Sequence, residues 1–252
     1  MDGLNDESAE ARLTFFNGLT AFLPTGKRQE TLQVAFKSRP AVKHLIESLG
    51  IPHTEVARVM ANGQEVGLGY HVQPGDVIGV YPPLPVNGHS HNREVGPRLE
   101  IEPRFILDNH LGRLAAYLRL LGFDSLYRND YQDEELAQVA GQDERILLTR
   151  DRRLLMRNSV RYGYCVQTLD PHTQITEVVR RYNLASQVRP FQRCLRCNAP
   201  LEPVEKAAIL DRLEPLTRQY FNEFSICPAC QQIYWKGSHY QHMQALIEEA
   251  TR

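Results

Sequence analysis

Apolar and polar side chains alternate at Leu13 and Phe15 and again at Leu32, Val34 and Phe36, the period of half-buried strands. Val42, Leu45, Ile46 and Leu49 repeat at helical spacing and stop at Gly50. Val56 to Met60, the hairpin dipeptide Asn62-Gly63, Val66, a Pro74-Gly75 turn and the run Val77, Ile78, Val80, Tyr81 then follow. Strands, a helix and more strands in this order fit a small β-grasp domain over residues 1–81. Residues 82–103 carry five prolines and neither period, so they read as a linker. His89 and His91 lie in that linker with no cysteine or carboxylate cluster beside them, and are read as linker residues rather than metal ligands.

A different pattern begins at residue 104. Phe105, Ile106 and Leu107 make a short apolar strand that ends in Asp108, and Leu111, Leu114, Ala115, Leu118 and Leu121 mark one face of a helix stopped by Gly122. A second strand is predicted in Phe-Asp-Ser-Leu-Tyr, and Asp133 stands at the cap position of the helix Glu-Glu-Leu-Ala-Gln-Val-Ala. Ile146 to Leu148 form a third strand, followed by Thr149-Arg150-Asp151. This β-α-β-α-β order over residues 104–190 makes the fold class α/β. Right-handed crossovers would make the strands parallel, with Asp108 and Asp151 at their carboxyl ends and Asp133 at a helix start facing the same crevice.

Asp133 and Asp151 each have a plain reading as helix caps, whereas a carboxylate ending a buried strand, as Asp108 does, is costly without a partner. Two ionised carboxylates 4 Å apart repel by about 4 kcal/mol at an effective dielectric near 20, so a convergent trio calls for protons or a cation. Mg²⁺ or Mn²⁺ is the expected cofactor, because hard ions take oxygen ligands. Glu134 is a first-turn acid within reach of the same site.

Cys194-Leu-Arg-Cys197 and Cys227-Pro-Ala-Cys230 stand 29 residues apart. Two such loops close a tetrahedral site around one structural Zn²⁺, with no open position for catalysis, and define a zinc-ribbon region over residues 191–252. A helix around Ala207 to Tyr220 is expected between the pairs. Cys165, in an apolar strand, reads as a buried small hydrophobe.

Composition changes little. With 29 basic and 30 acidic residues the net charge is -1, so attraction to polyanions must be local. Arg153 to Arg196 supplies that asymmetry: eight arginines, no lysine and two acids, Asp170 and Glu177. No run reaches the roughly 18 apolar residues of a membrane helix, and the acidic start lacks signal-peptide character. With cysteines spaced for metal, the expectation is a cytoplasmic protein with no membrane partner.

Ala-Asn-Gly-Gln-Glu-Val and Gln-Pro-Gly-Asp-Val-Ile-Gly-Val-Tyr-Pro in the first domain resemble the ubiquitin-like sulfur carriers of the ThiS and MoaD type. Those carriers act through a free terminal Gly-Gly. Here Pro82-Pro83-Leu84-Pro85 takes that place and the chain continues, which favours a docking or folding role, with a possible protein partner, over sulfur transfer.

The strand-ending acids, the Leu-Arg-Leu-Leu-Gly helix end and Thr-Arg-Asp-Arg-Arg-Leu over residues 104–157 resemble the PIN-like Mut-seven C-terminal RNase family. The resemblance implies a metal-dependent ribonuclease with Asp108, Asp133 and Asp151 as acidic positions, and a zinc ribbon at the C-terminal end. Asp170 and Glu134 are the candidates for a fourth acid. Single-stranded RNA is the expected partner, with Arg119, Arg150, Arg193 and Arg196 as contacts and Thr149 as a phosphate-orienting group. The alternative is a non-catalytic, zinc-containing RNA-binding or adaptor protein whose acids only cap helices.

Overall fold

A computed structural model describes residues 9–83 and 102–251. The proposed linker's central part, with His89 and His91, lies outside the described residues.

The N-terminal unit is a five-stranded sheet with one helix. Its strands are β1 (Ala9–Phe15), β2 (Thr31–Phe36), β3 (Arg58–Ala61), β4 (Gln64–Val66) and β5 (Val77–Tyr81), in spatial order β2-β1-β5-β3-β4. The terminal strands β1 and β5 pair in parallel at its centre, and the other pairings are antiparallel. Helix α1 (Val42–Ser48) buries Val42, Leu45 and Ile46, the residues its periodicity selects. Asn62 and Gly63 take positive φ values of 52° and 83°, as a tight hairpin turn demands. This is the β-grasp arrangement expected from the sequence.

The second unit holds four parallel strands, β6 (Phe105–Leu107), β7 (Ser125–Tyr127), β8 (Ile146–Thr149) and β9 (Gly163–Cys165), in order β7-β6-β8-β9. Its helices are α2 (Gly112–Leu120), α3 (Asp133–Gln142), the single turn α4 (Arg152–Leu155) and α5 (Pro171–Arg181). Alternate strand residues serve opposite faces. Phe105, Leu107, Ile146 and Leu148 pack with α2 and α5, while Ile106 and Leu147 pack with α3 and α4. Burial on both faces explains why these strands read as unbroken apolar runs.

The ribbon has strands β10 (Glu202–Val204), β11 (Phe224–Ile226) and β12 (Ile233–Trp235), joined antiparallel in that order. Between β10 and β11 the expected single helix is instead a 3₁₀ turn at Lys206–Arg212 and the short α6 (Pro215–Tyr220). Glu214-Pro215 explains the break: proline disfavours helical backbone at the residue before it and suits a new first turn. The last helix, α7 (Ser238–Thr251), leaves the ribbon and returns to the α/β unit. Leu246 and Ala250 are buried there with Ile175 and Val178 of α5.

Candidate active site and metal centre

All four strands of the parallel sheet point their carboxyl ends at one edge, where the loops to α2, α3, α4 and α5 emerge. Asp108 follows β6, and its Oδ2 accepts a 2.7 Å hydrogen bond from the Thr149 hydroxyl at the end of β8. The Thr149 oxygen accepts in turn from the Asp151 amide at 2.9 Å. Thr149 is fully buried, so one inaccessible hydroxyl ties the two acidic loops together. Asp151 caps α4, its Oδ1 accepting from the Arg153 amide at 2.8 Å. Each carboxylate keeps a second oxygen outside these bonds.

Asp133 is the first residue of α3, with Gln132 at the cap, and is exposed on the same edge. Glu134 faces Arg157 at 3.8 Å on the α3–α4 side, and Glu135 bonds Arg128 at 3.0 Å. Asp170 caps α5 through the amide and hydroxyl of Thr173, both at 2.8 Å. The structure thus links Asp108 directly with Asp151. Asp133 is not drawn into ion-sharing distance with both: among the described residues the four cysteines alone form such a group.

The cysteine centre is compact. The ligand sulfurs of Cys194, Cys197, Cys227 and Cys230 all lie within 4.8 Å of one another. The two Cys-x-x-Cys loops share one geometry. The Asn198 amide donates to the Cys194 carbonyl at 2.9 Å and the Gln231 amide to the Cys227 carbonyl at 2.8 Å, with Asn198 and Gln231 both in the left-handed region. Burial alone would raise the Cys194 thiol, but hydrogen bonds from the Tyr234 hydroxyl and from the Cys197 and Arg196 amides bring it down to about 6. Thiolates this close need a cation between them, and four soft donors gathered within 4.8 Å suit Zn²⁺.

The ribbon attaches at the opposite end of the sheet from Asp108 and Asp151. Asn198 Oδ1 accepts from the Ser125 amide that opens β7, and its Nδ2 donates to Asp124, each at 2.9 Å. Asp124 also pairs with Arg145, which precedes β8, at 2.8 Å. Burial works to raise the Asp124 carboxyl, yet the bonds from Arg145 and Asn198, with the Arg145 and Arg193 charges, hold it below the usual carboxylate range.

This arrangement corrects one arginine expectation. Arg119 is only 4% exposed and donates to the Ser125, Leu195 and Arg196 carbonyls, so it holds the first knuckle against α2 and is not available to RNA. Arg193 donates to the Gly122 and Asn198 carbonyls and also lies on the wall of a ribbon pocket, part-exposed. Arg150 and Arg196 remain exposed. Sequence reasoning missed Asn198, Asp124 and Tyr234. Only Asn198 carried a local signal, because a residue just after Cys-x-x-Cys that tolerates positive φ is what the knuckle turn requires.

The β-grasp unit closes the other side. Glu55, 3% exposed, accepts from the Cys165 amide of edge strand β9 at 2.7 Å and from Arg181 at 2.9 Å. Arg181 also donates to the Pro83 carbonyl at 2.9 Å, pinning the strand exit where carriers keep a free tail. Arg152, next to Asp151, donates to the Phe22 carbonyl at 2.7 Å and lies over the Phe22 ring.

Two family models match the chain. A family model described as the Mut7-C RNAse domain matches residues 103–247, and one described as Mut7-C ubiquitin matches residues 8–88. Two solved structures are similar at low overall superposition. The Haloferax volcanii HVO 2177 protein, a solution structure, shares 20% identity over 34% of this chain and 100% of its own, with a TM-score of 0.27. The crystal structure of H. volcanii small archaeal modifier protein 1 shares 21% identity over 30% and 99%, with a TM-score of 0.25. The search of curated proteins gave no match.

Proposed function

The chain belongs to the Mut7-C RNase family, with a Mut7-C ubiquitin module ahead of the nuclease module, and from that premise we propose a divalent-metal-dependent ribonuclease that hydrolyses phosphodiesters of single-stranded RNA. The observation that carries the reading is the Asp108–Thr149–Asp151 linkage at the carboxyl edge of a parallel sheet, where open α/β folds bind ligands.

The donor set fits a hard cation: Asp108 and Asp151, each with one oxygen left over. Asp108 and Asp151 would hold Mg²⁺ or Mn²⁺, which when bound neutralises the carboxylates and polarises a phosphate oxygen, with Asp133 at the start of α3 outside the shared set. Thr149 fixes the Asp108 carboxylate and, through the Asp151 amide, the start of α4. Exposed Arg150 sits between them and supplies positive charge for a backbone phosphate. Zn²⁺ on the four cysteines would fold the ribbon and take no part in the chemistry. A cytoplasmic setting suits those thiolates.

Labelled single-stranded RNA incubated with Mn²⁺ tests the reading. Wild type should cut it, EDTA should stop the reaction, and Asp108→Asn and Asp151→Asn should each lose at least about a hundredfold in rate. Equal cutting by all three proteins would remove the catalytic assignment, and RNA binding without cutting would favour the adaptor alternative.

A further inference from the structure

A pocket of about 330 Å³ opens on the ribbon between β12 and α7, far from the acidic edge. Phe191, Tyr234, Trp235 and Tyr240 form its aromatic walls. Phe191 and Tyr240 stack at 4.7 Å with their planes 25° apart. Trp235, the chain's single tryptophan, remains 39% exposed. Its indole lies over Gly237, where a Cβ would stand 2.8 Å from Trp235 Nε1, so glycine lets the ring lie flat on the turn. At the rim Lys236 pairs with Glu223 at 3.0 Å. One side of the indole meets the ribbon-core ring of Phe224, centroids 6.4 Å apart, and the rest of it stays open to solvent.

We propose that this pocket binds an unstacked nucleobase of single-stranded RNA, with Trp235 as the stacking face, Lys236 meeting the adjoining phosphate and Glu223 accepting from the base edge. The proposal rests on the reading that the chain acts on RNA. The chemistry separates a base from an apolar peptide side chain. A base offers a flat π face, amino groups for a carboxylate and an attached anion for a cation, and the pocket supplies a partner for each. The ribbon docks at the amino ends of the strands and the acids lie at their carboxyl ends. A three-residue strand spans about 10 Å, so the base held here is not the one at the cleaved bond. The pocket is therefore a second contact that retains a longer strand.

Tryptophan fluorescence reads the pocket directly, because one indole gives the whole signal. Zinc-loaded Asp151→Asn protein, without added Mg²⁺ or Mn²⁺, is titrated with a short single-stranded RNA and with an abasic oligonucleotide of equal length. The RNA should quench emission saturably and the abasic chain should not. In fluorescence anisotropy, Trp235→Ala and Tyr240→Ala, checked for zinc content, should each bind labelled RNA about tenfold more weakly. Unchanged emission at RNA concentrations that saturate the anisotropy signal would overturn the proposal, as would wild-type affinity in both variants. Quenching by RNA that wild type never cuts would sink the ribonuclease reading and leave the pocket standing. Cutting with a silent Trp235 would do the reverse.

Discussion

The Thr149 hydroxyl is spent entirely within the acidic pair: it donates to Asp108 and accepts from the Asp151 amide. Valine has nearly the same shape without the polar atom, so Thr149→Val leaves a carboxylate oxygen and an amide without their partner at little packing cost. Losing one such partner is worth about 1–3 kcal/mol. Steady-state cleavage by Thr149→Val should fall roughly tenfold in kcat/KM, with Thr149→Ser restoring most of it. Unaltered kinetics in the valine variant would show that the linkage does not position the acids. At this scale much was legible. Asp108 and Asp151 were exposed by their position after apolar runs, as was the stop at Gly122, where φ is +97° and a Cβ would meet the Arg189 carbonyl at 2.2 Å. The burial of Arg119 was not legible, because a sequence shows a guanidinium's charge and not which carbonyls surround it.

Among the elements, those with a strong local period or turn chemistry were legible: α1, the Asn62-Gly63 hairpin, and the apolar strands β6 and β8. The Cys-x-x-Cys loops were legible for the same reason, since their spacing is their geometry. The segment between β10 and β11 was not, because its weak helical pattern is broken by Pro215 and its form depends on packing against the ribbon core. The partner of α7 was hidden as well, since an amphipathic helix does not name the face it covers. If the ribbon's few buried residues depend on metal, chelation has a local signature. Removing Zn²⁺ should abolish hydrogen-exchange protection across β10, β11 and β12 while β6 and β8, buried on both faces, stay protected. Ribbon protection that survives verified metal loss would mean that the four thiols fold it unaided.

For the whole molecule, the β-grasp unit covers the open edge of the parallel sheet, and Glu55 is the joint. Its carboxylate replaces the neighbouring strand that β9 lacks, accepting from the Cys165 amide, and it faces Arg181 in a buried pair. Burial is the largest influence on Glu55 and raises its pKa despite the Arg181 charge. Glu55→Ala would leave Arg181 buried and uncompensated, a cost of about 3–5 kcal/mol. Urea unfolding should show that loss, and a variant as stable as wild type would show that the joint is dispensable. None of this was legible, because Glu55 and Arg181 are far apart in sequence and neither sits in a pattern that points to the other.

The β-grasp unit also reaches the acidic edge through Arg152 and Phe22, so both flanking units brace a sheet whose carboxyl end carries Asp108 and Asp151. The proposed chemistry stands on Asp108 and Asp151 sharing a divalent ion. Electron paramagnetic resonance of Mn²⁺, titrated into zinc-loaded wild type, Asp108→Asn and Asp151→Asn, measures this without any assumption about the RNA. Wild type should bind Mn²⁺ at a site that each variant weakens at least about tenfold. Equal Mn²⁺ binding by all three folded proteins would contradict the account.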